Sequence, residues 1–268
     1  MESSSGFLRQ LKPPRVLCNG LSPPIRAPHE PCTTTNRAEC EASRSRDRGG
    51  SCERIRRRSG MEDGMSNPSS SAWWDERYAE TTAGRLWAAS APRVVLDVAA
   101  ELRPGRALDV AAGDGRTATA LARQGWSVTA MDFSPVALQR AQTRPGAEQV
   151  AWELGDVHTW KPPGVFDLVI VAYLHLRDNQ STLRRVSGWV APGGTLLIVG
   201  HDETNPSHGG HGPTESAVLY SPQLLASVVG DEYTILRNET IHRDDTDHET
   251  AAGGDTGVDT VLRARRAG

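Results

Sequence analysis

Lysine is nearly missing from this 268-residue chain: Lys12 and Lys161 are the only two, and every other basic side chain apart from histidine is an arginine. That bias, with abundant Ala and Gly, reflects a GC-rich genome rather than a chemistry. Cysteine is confined to Cys18, Cys32, Cys40 and Cys52. Nothing beyond residue 60 therefore offers a thiol nucleophile, a disulfide or a Cys-based metal site. The four spacings match no close CxxC pair of the common zinc sites. With no signal peptide to mark a secreted chain, free thiols are the expected state. Aromatic residues make up 5% of the chain, and no apolar run approaches the ~20 residues of a membrane-spanning helix. A cytoplasmic protein with no membrane partner is expected.

Charge is unevenly spread. Residues 1–60 hold twelve Lys+Arg against six Asp+Glu, whereas the remainder holds 18 against 27. The acidic main part argues against a nucleic-acid partner, which would call for a basic face. The basic first part has Pro13-Pro14, Pro23-Pro24, a Thr33–Thr35 run and Arg56–Arg58 but no apolar periodicity, so residues 1–64 read as a disordered extension. An over-long gene start is an alternative reading, with Met61 or Met65 as the true first residue. A globular domain is expected over residues 65–268.

What is present beyond residue 70 alternates between helix and strand signals. Trp73, Trp74 and Tyr78 follow Ser71, a helix cap. Aromatics this dense either pack the helix on the domain edge or form a lid over a ligand. Residues 92–102 read as a helix, closed by Pro104-Gly105. Residues 106–116, RALDVAAGDGR, then read as strand, Gly-rich turn and helix start. This is the entry of a nucleotide-binding βαβ unit, in which glycines allow a tight turn and a close ligand approach. Strands follow at 126–131, ending near Asp132, and at 150–154, followed by Gly155-Asp156-Val157. Residues 166–172, FDLVIVA, form a near-continuous apolar run, as in a central parallel strand buried on both faces. A helix over 179–190 closed by Pro192-Gly193-Gly194, a strand at 195–200, a polar loop at 201–213 and a Ser221-capped helix to about 229 come next. Two late strands, at 233–241 and 258–265, lack an intervening helix and predict an antiparallel hairpin on a parallel sheet.

The order of acids and glycines after three successive strands carries more than any one motif. Residues 73–265 resemble the class I S-adenosylmethionine-dependent methyltransferases, closest to the small-molecule branch with tellurite-resistance and thiopurine methyltransferase-like proteins. The resemblance implies an α/β fold: a doubly wound, seven-stranded, mostly parallel sheet whose last strand is inserted antiparallel. It implies S-adenosylmethionine as cosubstrate. On that pattern Asp109, Gly113 and Gly115 form the first motif, with Ala111 where many members have glycine. Asp132 corresponds to the acid that takes both ribose hydroxyls, since a carboxylate accepts two hydrogen bonds and donates none. Phe133 would lie against the adenine face, Asp156 would accept from its amino group, and the Val157 backbone would sit beside the ring. Ala172 and Tyr173 end strand four, where ligands gather in such sheets; Trp74 is the lid residue.

The reaction implied is in-line methyl transfer from the sulfonium to a small-molecule acceptor. His175 and His201 are the candidate bases. His201, Asp202, Glu203, His208 and His211 also invite a metal reading, but their spacing fits no zinc motif and no metal is expected. Two alternatives stay open. Gly113-x-Gly115-x-x-Ala118 satisfies the permissive dinucleotide fingerprint, so an NAD(P)-dependent oxidoreductase competes; a non-catalytic protein on the methyltransferase fold is the third class. Oligomeric state is not legible.

Overall fold

The computed structural model describes residues 70–80, 90–243 and 257–268. The expected extension over 1–64 and most of the polar stretch between the last two strands lie outside the described residues.

Helix α1 (Ser71–Glu80) and helix α2 (Arg93–Glu101) precede the first strand. The cap of α1 is Ser70 rather than Ser71: its Oγ accepts from the Trp73 N–H, one residue earlier than the sequence reading. Then come β1 (Arg106–Val110), α3 (Arg116–Arg123), β2 (Ser127–Asp132), α4 (Pro135–Ala141), β3 (Val150–Leu154), β4 (Phe166–Ala172), α5 (Asn179–Ser187), β5 (Val190–His201), α6 (Pro222–Ala226), β6 (Tyr233–His242) and β7 (Val258–Arg266). The seven strands lie in the order β3-β2-β1-β4-β5-β7-β6. β7 runs antiparallel to both of its neighbours, and the other pairings are parallel. The expected doubly wound sheet with an inserted antiparallel strand is what the chain forms.

Alternation along the central strands explains why the run at 166–172 is apolar throughout. Val169 and Val171 of β4 join a core with Leu108 and Val110 of β1, Leu183 and Val186 of α5, and Leu225 of α6. Leu168 and Ile170 face the other way, into a second core with Val95 and Val98 of α2 and Ala118 and Leu121 of α3. A strand serving two cores has no polar face, and each fully buried Val, Leu or Ile contributes about 1.5–3 kcal/mol. The order of strands reverses between β1 and β4. Their C-terminal ends, Val110 and Ala172, therefore open at the switch point where ligands bind in open α/β sheets.

One element differs from the sequence reading in kind. The helix expected over 179–190 stops at Ser187, and Val190 already belongs to β5. The Phe166 N–H donates to Trp189 O at 2.9 Å, so the chain is captured by the start of β4 as soon as Gly188 ends the helix. Val190 pairs with Phe166 and Thr195 with Leu168, which leaves Pro192-Gly193-Gly194 as a bulge inside β5 rather than a helix stop. Helices α4 and α6 are also a turn or less shorter than expected.

Beside the functional edge, Gly200 of β5 lies against the ring of Tyr220, a side chain 1% exposed. A Cβ at Gly200 would stand 2.0 Å from Tyr220 Cε2. Gly200→Ala is therefore expected to cost about 1–3 kcal/mol by overpacking, read as a lowered midpoint in thermal unfolding of the full chain; an unchanged midpoint would contradict this packing.

Candidate functional site

The turn after β1 is built on left-handed backbone. Ala111 has φ 56°, Gly113 φ 55° and Gly115 φ 79°. For glycine this costs little; Ala111 adopts it against a penalty of about 1–2 kcal/mol. The turn is held from three directions. The Ala112 N–H donates to Met131 O at 3.0 Å and the Gly115 N–H to Ala112 O at 2.9 Å. The Gly113 N–H donates to Asp132 Oδ2 at 2.8 Å. Asp132 Oδ1 accepts from the Ser134 N–H at 2.8 Å, while Ser134 Oγ caps α4 by accepting from the Ala137 N–H. Burial raises the Asp132 carboxyl above its usual range, and the N–H donors of Ser134, Gly113 and Phe133 work against that rise.

A cleft opens over this turn in two joined parts that share Trp74, Tyr78 and Ala111. One part is bounded by Asp132, Phe133, Asp156, Val157 and His175. The other is bounded by Asp109, Gly113, Arg116, Ala172 and Tyr173. Of the residues singled out in the sequence, these are brought together around one space. Gly115 is not among the lining residues: it packs behind the turn, where a Cβ would stand 2.5 Å from the Trp152 ring.

Helix α1 forms the outer wall. Asp75 on α1 accepts from the Ser134 hydroxyl, and Tyr78 reaches over the turn so that a Cβ on Gly113 would lie 2.5 Å from its hydroxyl oxygen. Burial, and then the charge of Asp132, raises the pKa of the Tyr78 hydroxyl. The rings of Trp74, His175 and His201 stack in series, with centroids 6.0 Å and 5.4 Å apart and planes within 12° and 7°.

The two histidines differ in setting. Burial, then the neighbouring His201 and Arg77, pushes His175 down to about 3, so it is neutral at physiological pH and a weak base. His201, 7% exposed, lies behind it rather than on the cleft wall. Its Nδ1 is 3.4 Å from Asp259 Oδ1, and a Cβ on Gly212 would stand 2.7 Å from its Nε2. The other oxygen of Asp259 accepts from the Tyr173 hydroxyl at 2.7 Å, which fixes a residue held at φ 57°. Asp259 was not singled out in the sequence, and Tyr78 was read there only with Trp73 and Trp74 as part of an aromatic lid or packing face. Tyr78 had a signal, its i+4 spacing from Trp74 on one helix face; Asp259 had none, since its partner Tyr173 lies 86 positions away.

A larger cavity of about 490 Å³ adjoins the cleft at Arg116 and Tyr173 and runs between α2 and strands β6 and β7. Its walls carry the pairs Arg93–Asp97, Arg237–Glu239, Arg263–Glu101 and Arg243–Asp259. Among the described residues, no three His, Cys, Asp or Glu side chains cluster as a metal site would require, and no helix is long and apolar enough to cross a membrane.

A parallel sheet in this strand order, with a glycine turn after the first strand, acids at the ends of the second and third, and one antiparallel strand, defines the class I methyltransferase fold. Residues 107–194 match a family described as a methyltransferase domain. It is 40% identical over 108 residues to an uncharacterized methyltransferase of Mycobacterium tuberculosis, covering 39% of this chain and 55% of that protein. It is 32% identical over 133 residues to a ubiquinone biosynthesis O-methyltransferase of Xanthomonas campestris, covering 47% and 54%. The chain thus spans about half the length of these curated relatives. The solved structure of TehB from Haemophilus influenzae shares the fold, with a TM-score of 0.54 at 16% identity over 73% of this chain and 66% of that one.

Asp109, 1% exposed, lines the second part of the cleft, and its Oδ2 has no hydrogen-bond partner. Burial, reinforced by the charge of Asp132, raises its pKa from 3.8 to about 7. The fold therefore favours the protonated form, and the stability this group contributes is lost as pH rises from about 4 through about 7. Asp109→Asn, which cannot ionise, is expected to gain in melting temperature over the native chain as pH is raised from about 5 to about 8. A gap that stays constant, or narrows, would contradict this.

Proposed function

We propose that this protein transfers the methyl group of S-adenosylmethionine to a small-molecule acceptor. The observation that carries the reading is Asp132. Its two oxygens are held by the Gly113 and Ser134 N–H groups, the Phe133 N–H also acts on the carboxylate, and the group lines the cleft where it can accept from the ribose hydroxyls. Phe133 and Val157 then flank the adenine and Asp156 takes its amino group, while Trp74 closes the outer side. The methionine end lies between Asp109, Gly113, Ala172 and Tyr173. Asp109 in its ionised form is the natural partner of the cosubstrate's ammonium group.

The same turn disfavours a dinucleotide. A pyrophosphate needs free N–H donors at the glycine turn. Here the Gly113 N–H is committed to Asp132 and the Gly115 N–H to Ala112 O, and the Tyr78 hydroxyl covers Gly113. The intact set of acids likewise speaks against a non-catalytic role.

Transfer from an activated sulfonium asks the protein chiefly for alignment and exclusion of water. The cavity of about 490 Å³ beside Tyr173 has the size of a small-molecule pocket and opens next to the methionine end, which supports a small acceptor. A thiol, selenol or ring-nitrogen acceptor needs no strong base. His175 serves as a neutral hydrogen-bonding wall, and His201, set behind it, stands by the Asp259–Tyr173 pair rather than by the acceptor.

Calorimetric titration of the full chain with S-adenosylhomocysteine, with NADH as control, tests this. Micromolar binding of the first alone is expected, with affinity falling at least about 30-fold in Asp132→Ala as two hydrogen bonds to a charged group are lost. Binding of NADH instead would replace the reading with the oxidoreductase.

A further inference from the structure

His158 was not singled out in the sequence, yet it joins the two loops that border the adenosine end of the cleft. Its backbone N–H donates to Asp156 Oδ1 at 2.9 Å, and its ring Nδ1 contacts the same oxygen at 2.7 Å. The opposite ring nitrogen, Nε2, lies 3.3 Å from the carboxylate of Asp178. Asp178 in turn stands at the N-cap of α5 and accepts from the Ser181 and Thr182 hydroxyls. One imidazole thus spans from the turn after β3 to the start of the helix after β4. Both contacts on Asp156 fall on Oδ1, so Oδ2 is left for a ligand donor at a carboxylate whose rotamer is fixed. A half-exposed aspartate with no such tie would sample several rotamers and lose that entropy on binding.

We propose that His158 is a positioning residue for the cosubstrate: by bridging Asp156 to Asp178 it presents one Asp156 oxygen to the amino group of adenine. This rests on the S-adenosylmethionine reading above. The groups facing the ring agree with it. Asp156 and Asp178 are the charges that act on His158; burial opposes its charge, but hydrogen bonds to the two carboxylates outweigh that and raise its pKa. Both carboxyls are lowered, burial being overcome mainly by the His158 N–H and ring at Asp156 and by the His158 ring and Thr182 at Asp178. The bridge is complete only with both ring nitrogens protonated. It weakens as pH rises through the raised His158 value, because the bare nitrogen then faces a carboxylate.

The test compares S-adenosylhomocysteine with S-inosylhomocysteine, which carries a carbonyl where adenine has its amino group, on the full chain by calorimetry. The native chain is expected to prefer the adenine compound. His158→Ala is expected to weaken S-adenosylhomocysteine about three- to tenfold, as a partly exposed charged contact allows, and to leave S-inosylhomocysteine unchanged, so that the preference shrinks as it does in Asp156→Ala. Asp178→Asn, which keeps an oxygen for the Ser181 and Thr182 hydroxyls, is expected to give a smaller loss that vanishes above the His158 titration. Equal weakening of both compounds in His158→Ala would make the residue merely structural and overturn the proposal, as would no weakening at all. A native chain that binds neither compound would remove the cosubstrate reading and this proposal together, whereas intact binding with unaltered preference removes this proposal alone.

Discussion

The carboxylate of Asp132 ties the functional edge together. It sits at the end of β2, takes one N–H from the turn after β1 and another from the entry to α4, and lies beneath the helix that closes the cleft. Because these are hydrogen bonds to a charge in a buried place, each is worth more than a neutral bond, and losing the acceptor would leave two buried donors unsatisfied. The left-handed conformations at Ala111 and Gly113 persist because this tie, with Ala112 donating to Met131, over-determines the turn. The fold therefore shapes the turn through the same group that the proposed function uses for ribose.

Two buried acids and three aromatic rings dominate the cleft, with Arg116 on its far side. Asp109 and Asp132 are both buried within it, the charge of Asp132 raises the Asp109 pKa, and Trp74, Tyr78 and Phe133 supply an aromatic lining. Buried negative charge and π faces suit a cationic ligand. A sulfonium with an adjacent ammonium is such a ligand, and the demethylated product carries one positive charge fewer. Protonation of Asp109 relieves the crowding of the two acids, and a cationic ligand that favours its ionised form would link binding to that protonation.

Much of this was legible in the sequence because it depends on local pattern. The apolar run of β4, the acids closing β2 and β3, the glycine turn and the helix-free final pair each carry their own signal, and the sheet follows from them. What was not legible depends on partners distant in the chain. Pro192-Gly193-Gly194 reads as a helix stop, yet pairing of Val190 with Phe166 makes it a bulge. Asp259 lies in a strand of mixed polarity and gains its meaning only from Tyr173 and His201. His201 was singled out for its place after β5, but the stack with His175 sets it behind the cleft wall. His158 carried no signal of its own, because its partner Asp178 lies 20 positions on and comes within reach only at the start of α5.

A crystal structure of the full chain with S-adenosylhomocysteine tests the central claim most directly. The account predicts both ribose hydroxyls within hydrogen-bond distance of the Asp132 carboxylate, adenine between Phe133 and the loop of Asp156 and Val157, and the thioether sulfur beside Tyr173. A ligand seated elsewhere, or a ribose that makes no contact with Asp132, would contradict it.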